Sequence, residues 1–340
     1  MRSIVGWKIE DDFGIFNPPS ARTPVSSANL YIQKSVELDQ GVRGIAAFDF
    51  ASYAGPQHAA IEVGGMVYPT SIDSLVQGIM GSAEVIGGGT RYGLSTSVPS
   101  LSFQVQDLDI TAGDDIQRYR GCLVNELQLS YSSESGVLVW SAGLLGQDMT
   151  WGAIAVDVIK WASSVEEWDA EEGHFKWSDG ARWGPATGGG GSGGGWGAMP
   201  DLGSPFLGWS AAAKFGDPAT LNKVTDVEIV LTRESALQFG NLYDAPSTIH
   251  SGLLGITCLI TILWDSDSDL NRYLNKTQEE FEVTWTRGVH TLYFQAKNMD
   301  FGDGPVEIER TSTEIRLTYS ARALYDADDA GPCIFEVTAS

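Results

Sequence analysis

Basic residues are scarce in this chain: 21 Lys and Arg face 44 Asp and Glu over 340 residues, for a formal net charge of −23. A field of that sign repels phosphate backbones and excludes an ordinary nucleic-acid-binding role. No acidic tail carries the surplus. Residues 1–150 hold 8 basic and 16 acidic groups, 151–204 hold 3 and 8, and 205–340 hold 10 and 20. Cysteine is nearly absent as well. Cys122, Cys258 and Cys333 are too few and too far apart for a disulfide framework or a zinc site, and each lies in an apolar run that predicts a small core residue. Long apolar runs are missing, and the opening MRSIVGWKIEDD has acidic residues where a secretory leader has its apolar segment. The expectation is a soluble protein made in a reducing cytosol, with no membrane partner.

Catalytic machinery is missing too. His58, His174, His250 and His290 have no metal-ligand spacing, and no GxSxG, HExxH or paired CxxC occurs. Asp265, Asp267 and Asp269 begin a calcium-loop pattern, but Leu270 stands where the sixth-position glycine belongs and Lys276 where the twelfth-position Glu belongs. The glycine-rich GGGTRYG at 87–93 reads as a loop and lacks the strand–helix context of a phosphate cradle. No nucleophile, base and orienting group come together, so no enzymatic activity, cofactor or metal is expected.

What the sequence does have is strand-period alternation. Gly121 to Gly146 reads as a hairpin turning at Ser133–Gly136. Its first strand sets Leu127, Leu129 and Tyr131 against Glu126, Gln128 and Ser130, and its second, Val137 to Leu145, is apolar on both faces. The same alternation sets Ile61, Val63 and Val67 against Glu62 and Gly64. It sets Leu101, Phe103 and Val105 against Ser102, Gln104 and Gln106, and Val227, Ile229 and Leu231 against Asp226, Glu228 and Thr232. Further strands are expected at Val42–Phe50, Ile256–Trp264, on both sides of Thr286–His290, at Ile315–Ala321 and at the closing CIFEVTA. Helices are few and short. Ile72, Leu75, Val76 and Ile79 have helical spacing behind the cap candidates Thr70 and Ser71, and a second short helix is expected at 265–275.

Residues 1–40, Pro- and Ser-rich around NPPSARTPVSS, read as an extended arm, either ordered by neighbouring subunits or simply disordered. Residues 151–204 hold six of the 11 tryptophans and the run Gly188–Gly197, whose eight glycines in ten residues exclude a helix or strand interior. Each half runs an apolar strand into a short helix (Ile61–Gly81; Gly252–Leu274) and follows it with alternating strands and a hairpin. The expected fold is therefore mainly β, in two similar units: 1–150 with its N-terminal arm, an insertion or linker at 151–204, and 205–340.

Gly121, Cys122, Val124, Asn125, Leu127 and Leu129 open the central hairpin after Pro99, Ser100, Leu101 and Val105. With the Gly6–Glu10–Gly14 segment, the stretch VTDVEIVLTRE and the closing YSARALYDADDAGPCIFEVTAS, this pattern resembles the tail tube (major tail) proteins of long-tailed bacteriophages, in their longer, duplicated form. The resemblance covers most of 1–147 and 204–340 and leaves out 151–203. It implies β-sandwich or half-barrel tube domains, each with one short helix, whose strands close across subunits into a β-barrel ring. Single-fold members form hexameric rings, so a duplicated chain implies homotrimeric rings of pseudo-sixfold symmetry. Rings stack into a tube that carries viral DNA into the host. The implied partners are the chain itself, the tape measure, tail tip and tail terminator proteins, and DNA that passes without specific binding. The implied location is the virion tail, assembled in the host cytoplasm.

A channel that lets duplex DNA slide needs a wall without basic anchors. The wet faces supply Glu62, Gln104, Gln106, Glu126, Gln128, Asp226, Glu228 and Thr232 as candidate lumen residues, none of them basic. Arg316 and Arg322 on another alternating strand are exceptions, expected at a subunit boundary. The competing reading is a β-sandwich carbohydrate-binding or adhesin module using the tryptophans to stack on sugars. A glycoside hydrolase using acids such as Glu166 and Asp169 is a weaker rival, because no pocket context places those groups.

Overall fold

A computed structural model describes residues 3–19, 23–39, 51–69, 71–107, 116–132, 136–152, 168–169, 174–175, 204–215, 224–240, 245–264, 271, 274–275, 278–301, 306–311 and 314–338. Alternation between apolar and polar side chains builds almost all of it. The first half contains strands β1 (Ser3–Ile9), β2 (Ser27–Asp39) and β3 (Ala51–Met66), helix α1 (Asp73–Met80), then β4 (Gly81–Ile86), β5 (Gly89–Leu94), β6 (Leu101–Asp107), β7 (Ile116–Ser132), β8 (Val139–Gly146) and β9 (Asp148–Gly152). Two-residue strands β10 (Trp168–Asp169) and β11 (His174–Phe175) pair with each other and, among the described residues, with no other strand. The second half adds β12 (Ala211–Phe215), β13 (Val224–Phe239), β14 (Pro246–Leu263), β15 (Gln278–Arg287), β16 (His290–Asp300), β17 (Glu307–Arg310), β18 (Ile315–Ala323) and β19 (Ile334–Thr338).

Apart from β10 and β11, these strands form one continuous 17-stranded sheet. A run of eight, β2–β3–β8–β7–β13–β14–β18–β17, passes through both halves, joined where β7 meets β13. Six pairings of the first half recur in the second. The pairs β1–β6, β2–β3, β3–β8, β6–β7, β7–β8 and β7–β9 have as counterparts β12–β15, β13–β14, β14–β18, β15–β16, β16–β18 and β16–β19. Strands β1 and β15, with their ladder partners β6 and β12, lie over one side of it. Trp7 on β1 meets Trp140 on β8 edge-on at 5.6 Å, and Trp285 on β15 meets Tyr131 on β7 at 5.8 Å. The residues expected to face the core do so: Leu127, Leu129, Val227, Ile229, Leu231, Ile256, Ile260 and Ile262 are at most 2% exposed. The three cysteines are free and buried, as their apolar settings predict.

Several local expectations are corrected. Residues 1–40 are not one arm: 3–9 and 27–39 are strands on either side of the Pro-Ser run, the first pairing with β6 and burying Val5 and Trp7, the second pairing along its length with β3. The glycine-rich 87–93 is mostly strand, since only Gly87 and Gly88 make the turn of the β4–β5 hairpin, which extends the sheet by pairing β5 with β19. Ser71 does not cap α1. Its hydroxyl donates to the Tyr68 carbonyl (3.0 Å) and accepts from the Tyr68 N–H (3.1 Å), closing a turn before the helix. Val42–Phe50, Thr70, Asp265–Leu270 and nearly all of 151–204 lie outside the described residues.

What remains of the arm folds onto its own chain around a buried carboxylate. Glu10, only 6% exposed, accepts four hydrogen bonds. Oε1 takes the Ser102 hydroxyl (2.8 Å) and the Gly121 N–H (2.8 Å), and Oε2 takes the Ser100 hydroxyl (2.6 Å) and the Gly14 N–H (2.9 Å). Gly121 at φ +60° and Gly14 at φ +75° adopt the left-handed conformation that aims those N–H groups at the carboxylate. A Cβ on Gly121 would also stand 2.9 Å from Gln147 Cβ.

Candidate functional site

The side of the eight-strand run that the described residues leave uncovered is the surface with the most distinctive chemistry. Residues directly opposite in an antiparallel ladder share a face, so the registers trace rows across it. Asn29, Glu62, Gly143, Glu126, Thr232 and Gly255 form one row over six strands. Gly64, Ser141, Gln128, Val230 and Thr257 form the next. Then come Met66, Val139, Ser130, Glu228, Leu259 and Ser320, and after them Ser132, Asp226, Thr261, Thr318 and Glu307.

Side-chain hydrogen bonds link neighbouring strands across this face. Gln128 Nε2 donates to Glu228 Oε1 at 2.8 Å over the junction of the two halves, and the Ser141 hydroxyl donates to Gln128 Oε1 at 3.1 Å. The Thr261 and Thr318 hydroxyls are 2.9 Å apart. Carboxylates and small polar groups dominate, with the exposed apolar Met66, Val139 and Leu259 sharing a single row. The strand Val137 to Leu145, expected to be apolar on both faces, buries only its inner one: Trp140, Ala142 and Leu144 are covered, while the outer face carries Ser141 and Val139, the latter 42% exposed.

Six of the eight candidate lumen residues meet here: Glu62, Glu126, Gln128, Asp226, Glu228 and Thr232. Gln104 and Gln106 do not. They lie on β6, between β1 and the N-terminal part of β7, in the layer that covers the eight-strand run. The refolded arm screens that side. The Asn17 N–H donates to the Ser102 hydroxyl at 2.8 Å, the Arg118 guanidinium lies 5.6 Å from the Phe16 ring, and Gln104, opposite Arg118, is 6% exposed. Alternation told the wet side of β6 from the dry side but not which layer that side faced.

Arg316 and Arg322 share the face of the six at its far margin, on β18, the last strand but one. Arg316 is held by Glu314 at 2.6 Å, which offsets its charge locally. Arg233 takes the opposite course. It points away from the polar face and is 3% exposed, with Nη1 donating to the Ser251 hydroxyl (2.9 Å) and Nη2 to the Ser95 carbonyl (2.9 Å), which ties β13 to the loop after β5. Burial lowers its pKa. Among the described residues no group of three His, Cys, Asp or Glu could hold a metal ion, and no helix is long and apolar enough to cross a membrane.

A sequence profile described as phage tail tube protein matches residues 2–323. The chain belongs to the phage tail tube protein family. The matched range includes 151–203, which the motifs had left out, and stops before the closing strand, which they had taken in. No curated protein matches the chain. Membership makes this a structural component of a phage tail, in a family that assembles with itself and with other tail proteins. Trp7, Trp140 and Trp285 are core residues at most 8% exposed, so these three are not available to stack on sugars.

Proposed function

We propose that copies of this chain close edge to edge into rings, that the rings stack into the hollow tail tube, and that the polar face of the eight-strand run lines the channel through which viral DNA enters the host. The observation that carries this reading is the recurrence of six strand pairings in the two halves, joined through β7 and β13. A chain with two tube-like units, 1–150 and 205–340, separated by an insertion at 151–204, supplies a six-unit ring with three copies, a closed cyclic assembly of heterologous contacts. Closure also removes sheet edges that would otherwise recruit stray strands.

The chemistry of the face supports its place in the lumen. Glu62, Glu126, Asp226 and Glu228 repel phosphate, while Gln128 and Thr232 offer neutral polarity, so DNA meets no cation across the junction of the two halves, and the two arginines of the face stand only at its margin. The chain acts as a structural virion protein and not as an enzyme. It is assembled in the host cytoplasm, with tape measure, tail tip and tail terminator proteins as its other partners. Negative-stain electron microscopy of the purified protein tests this directly. The expected images contain rings of three subunits with six-lobed outline, or hollow tubes built from them. A monodisperse monomer at high concentration, even in the presence of the other tail proteins, would overturn it.

A further inference from the structure

The eight-strand run ends in two strands that each have one partner among the described residues: β2 pairs only with β3, and β17 only with β18. Lys34 and a register shift on β2, and the shortness and charge of β17, limit casual pairing, yet both edges remain open among the described residues. β2 is 13 residues long with Tyr31 and Val36 exposed, and β17 is exposed at all four positions. The molecule carries its own template for what such edges do, because the internal seam between β7 and β13 joins the counterparts of these two strands.

The correspondence follows from the ladders. Trp140-Ser141-Ala142 on β8 matches Tyr319-Ser320-Ala321 on β18. Ser141 stands opposite Gly64, which stands opposite Ser27; Ser320 stands opposite Leu259, which stands opposite Glu228. Ser27 on β2 is therefore the counterpart of Glu228 on β13. Val139 stands opposite Ser130, and Thr318, its match on β18, stands opposite Glu307. Glu307 on β17 is therefore the counterpart of Ser130 on β7. Since Ser130 pairs with Glu228 in the internal seam, the geometry points to a seam between copies in which β17 of one chain adds antiparallel to β2 of the next, with Glu307 opposite Ser27.

The C-terminal end of β16 gives the same register. Asp300 stands opposite Arg322 as Glu126 stands opposite Gly143, and Glu126 pairs with Thr232, whose counterpart is Tyr31. Asp300 then falls opposite Tyr31, four residues from Ser27 along β2. That matches the four-residue step from Arg322 to Thr318 by which β18 already engages Asp300 and Glu307. The side chains agree as well. Tyr131 and Val227, paired in the internal seam, are 6% and 2% exposed, whereas Ile308, one residue past Glu307 as Tyr131 is one past Ser130, is 46% exposed and lacks its cover.

This inference rests on the ring reading and names the edges and register by which one copy meets the next. The test is a Ser27→Cys/Glu307→Cys variant of the full chain, assembled and then oxidised. Opposed residues in an antiparallel ladder have Cα atoms about 4.5–5.5 Å apart, within disulfide range. Both positions are exposed, and the native cysteines are buried. Non-reducing gels are expected to show covalent dimers and trimers. Each single variant should stay monomeric, as should Gln33→Cys/Glu307→Cys, displaced by about 20 Å along β2. A Ser130→Cys/Glu228→Cys variant, placed at the internal seam, should form its disulfide within one chain and calibrates the chemistry. Rings in the micrographs, an oxidised internal pair and no Ser27–Glu307 linkage would overturn this seam while leaving the ring reading intact. Monomers without rings would overturn both.

Discussion

Glu10 draws together residues that the chain keeps far apart: its hydroxyl partners lie 90 and 92 positions away and the Gly121 N–H lies 111 away. A buried carboxyl group is tolerated only when its oxygens find hydrogen-bond donors, and here four donors reach them. Glu10→Ala would strand two backbone N–H groups and two hydroxyls in the interior, and we expect a loss on the order of 3 kcal/mol in urea unfolding. Glu10→Gln keeps the shape but turns an amide N–H₂ toward donors, so its midpoint should fall between those of Ala and wild type. Sequence reading noted Glu10 with Gly6 and Gly14 only as a pattern. It could not supply the reason, because three of the four donors are 90 or more positions away in the chain.

At the scale of the element, α1 has the apolar stripe that its spacing predicts, with Leu75, Val76 and Ile79 fully buried. Its first turn carries a less favourable feature. Asp73 Oδ1 is buried without a partner, and loss of solvent pushes the carboxyl up to about 6 from an ordinary 3.8. The folded state therefore holds this proton more tightly than the unfolded chain. Stability conferred by protonated Asp73 is present at low pH, falls as pH rises from about 4 to about 6, and stays flat above. Asp73→Asn removes the penalty of the charged form. Urea titrations should show a gain of up to roughly 3 kcal/mol at pH 8, shrinking to about half of that at pH 5. The elements that sequence reading missed have physical reasons too. Four-residue β17 is too short for a period to register, and β1 was hidden by the Pro-Ser run that follows it.

For the whole molecule the decisive property is a sheet face that is polar, largely uncovered and acidic across the junction of the two halves. Glu126→Lys with Glu228→Lys inverts two charges there without touching the core beneath. Assembly should persist, weakened by about 1 kcal/mol at most where Glu228 loses Gln128. DNA delivery, followed as the rate of genome release from particles carrying the variant, should slow as phosphates meet cations on the wall. Unchanged delivery in tubes of normal length would remove this face from the channel.

The sequence by itself determined the strand period, the core-facing residues and the acidic balance of the wet faces, because these depend on side-chain chemistry repeating every second residue. It also carried the motifs by which the family could be recognised. Which wet faces join was decided only in three dimensions. Glu62, Glu126, Gln128, Asp226, Glu228 and Thr232 share one surface because β3, β8, β7 and β13 are hydrogen-bonded neighbours, while Gln104 and Gln106, with the same local pattern, belong to the covering layer. A strand's period fixes which side is wet; only its ladder partners fix where that side looks.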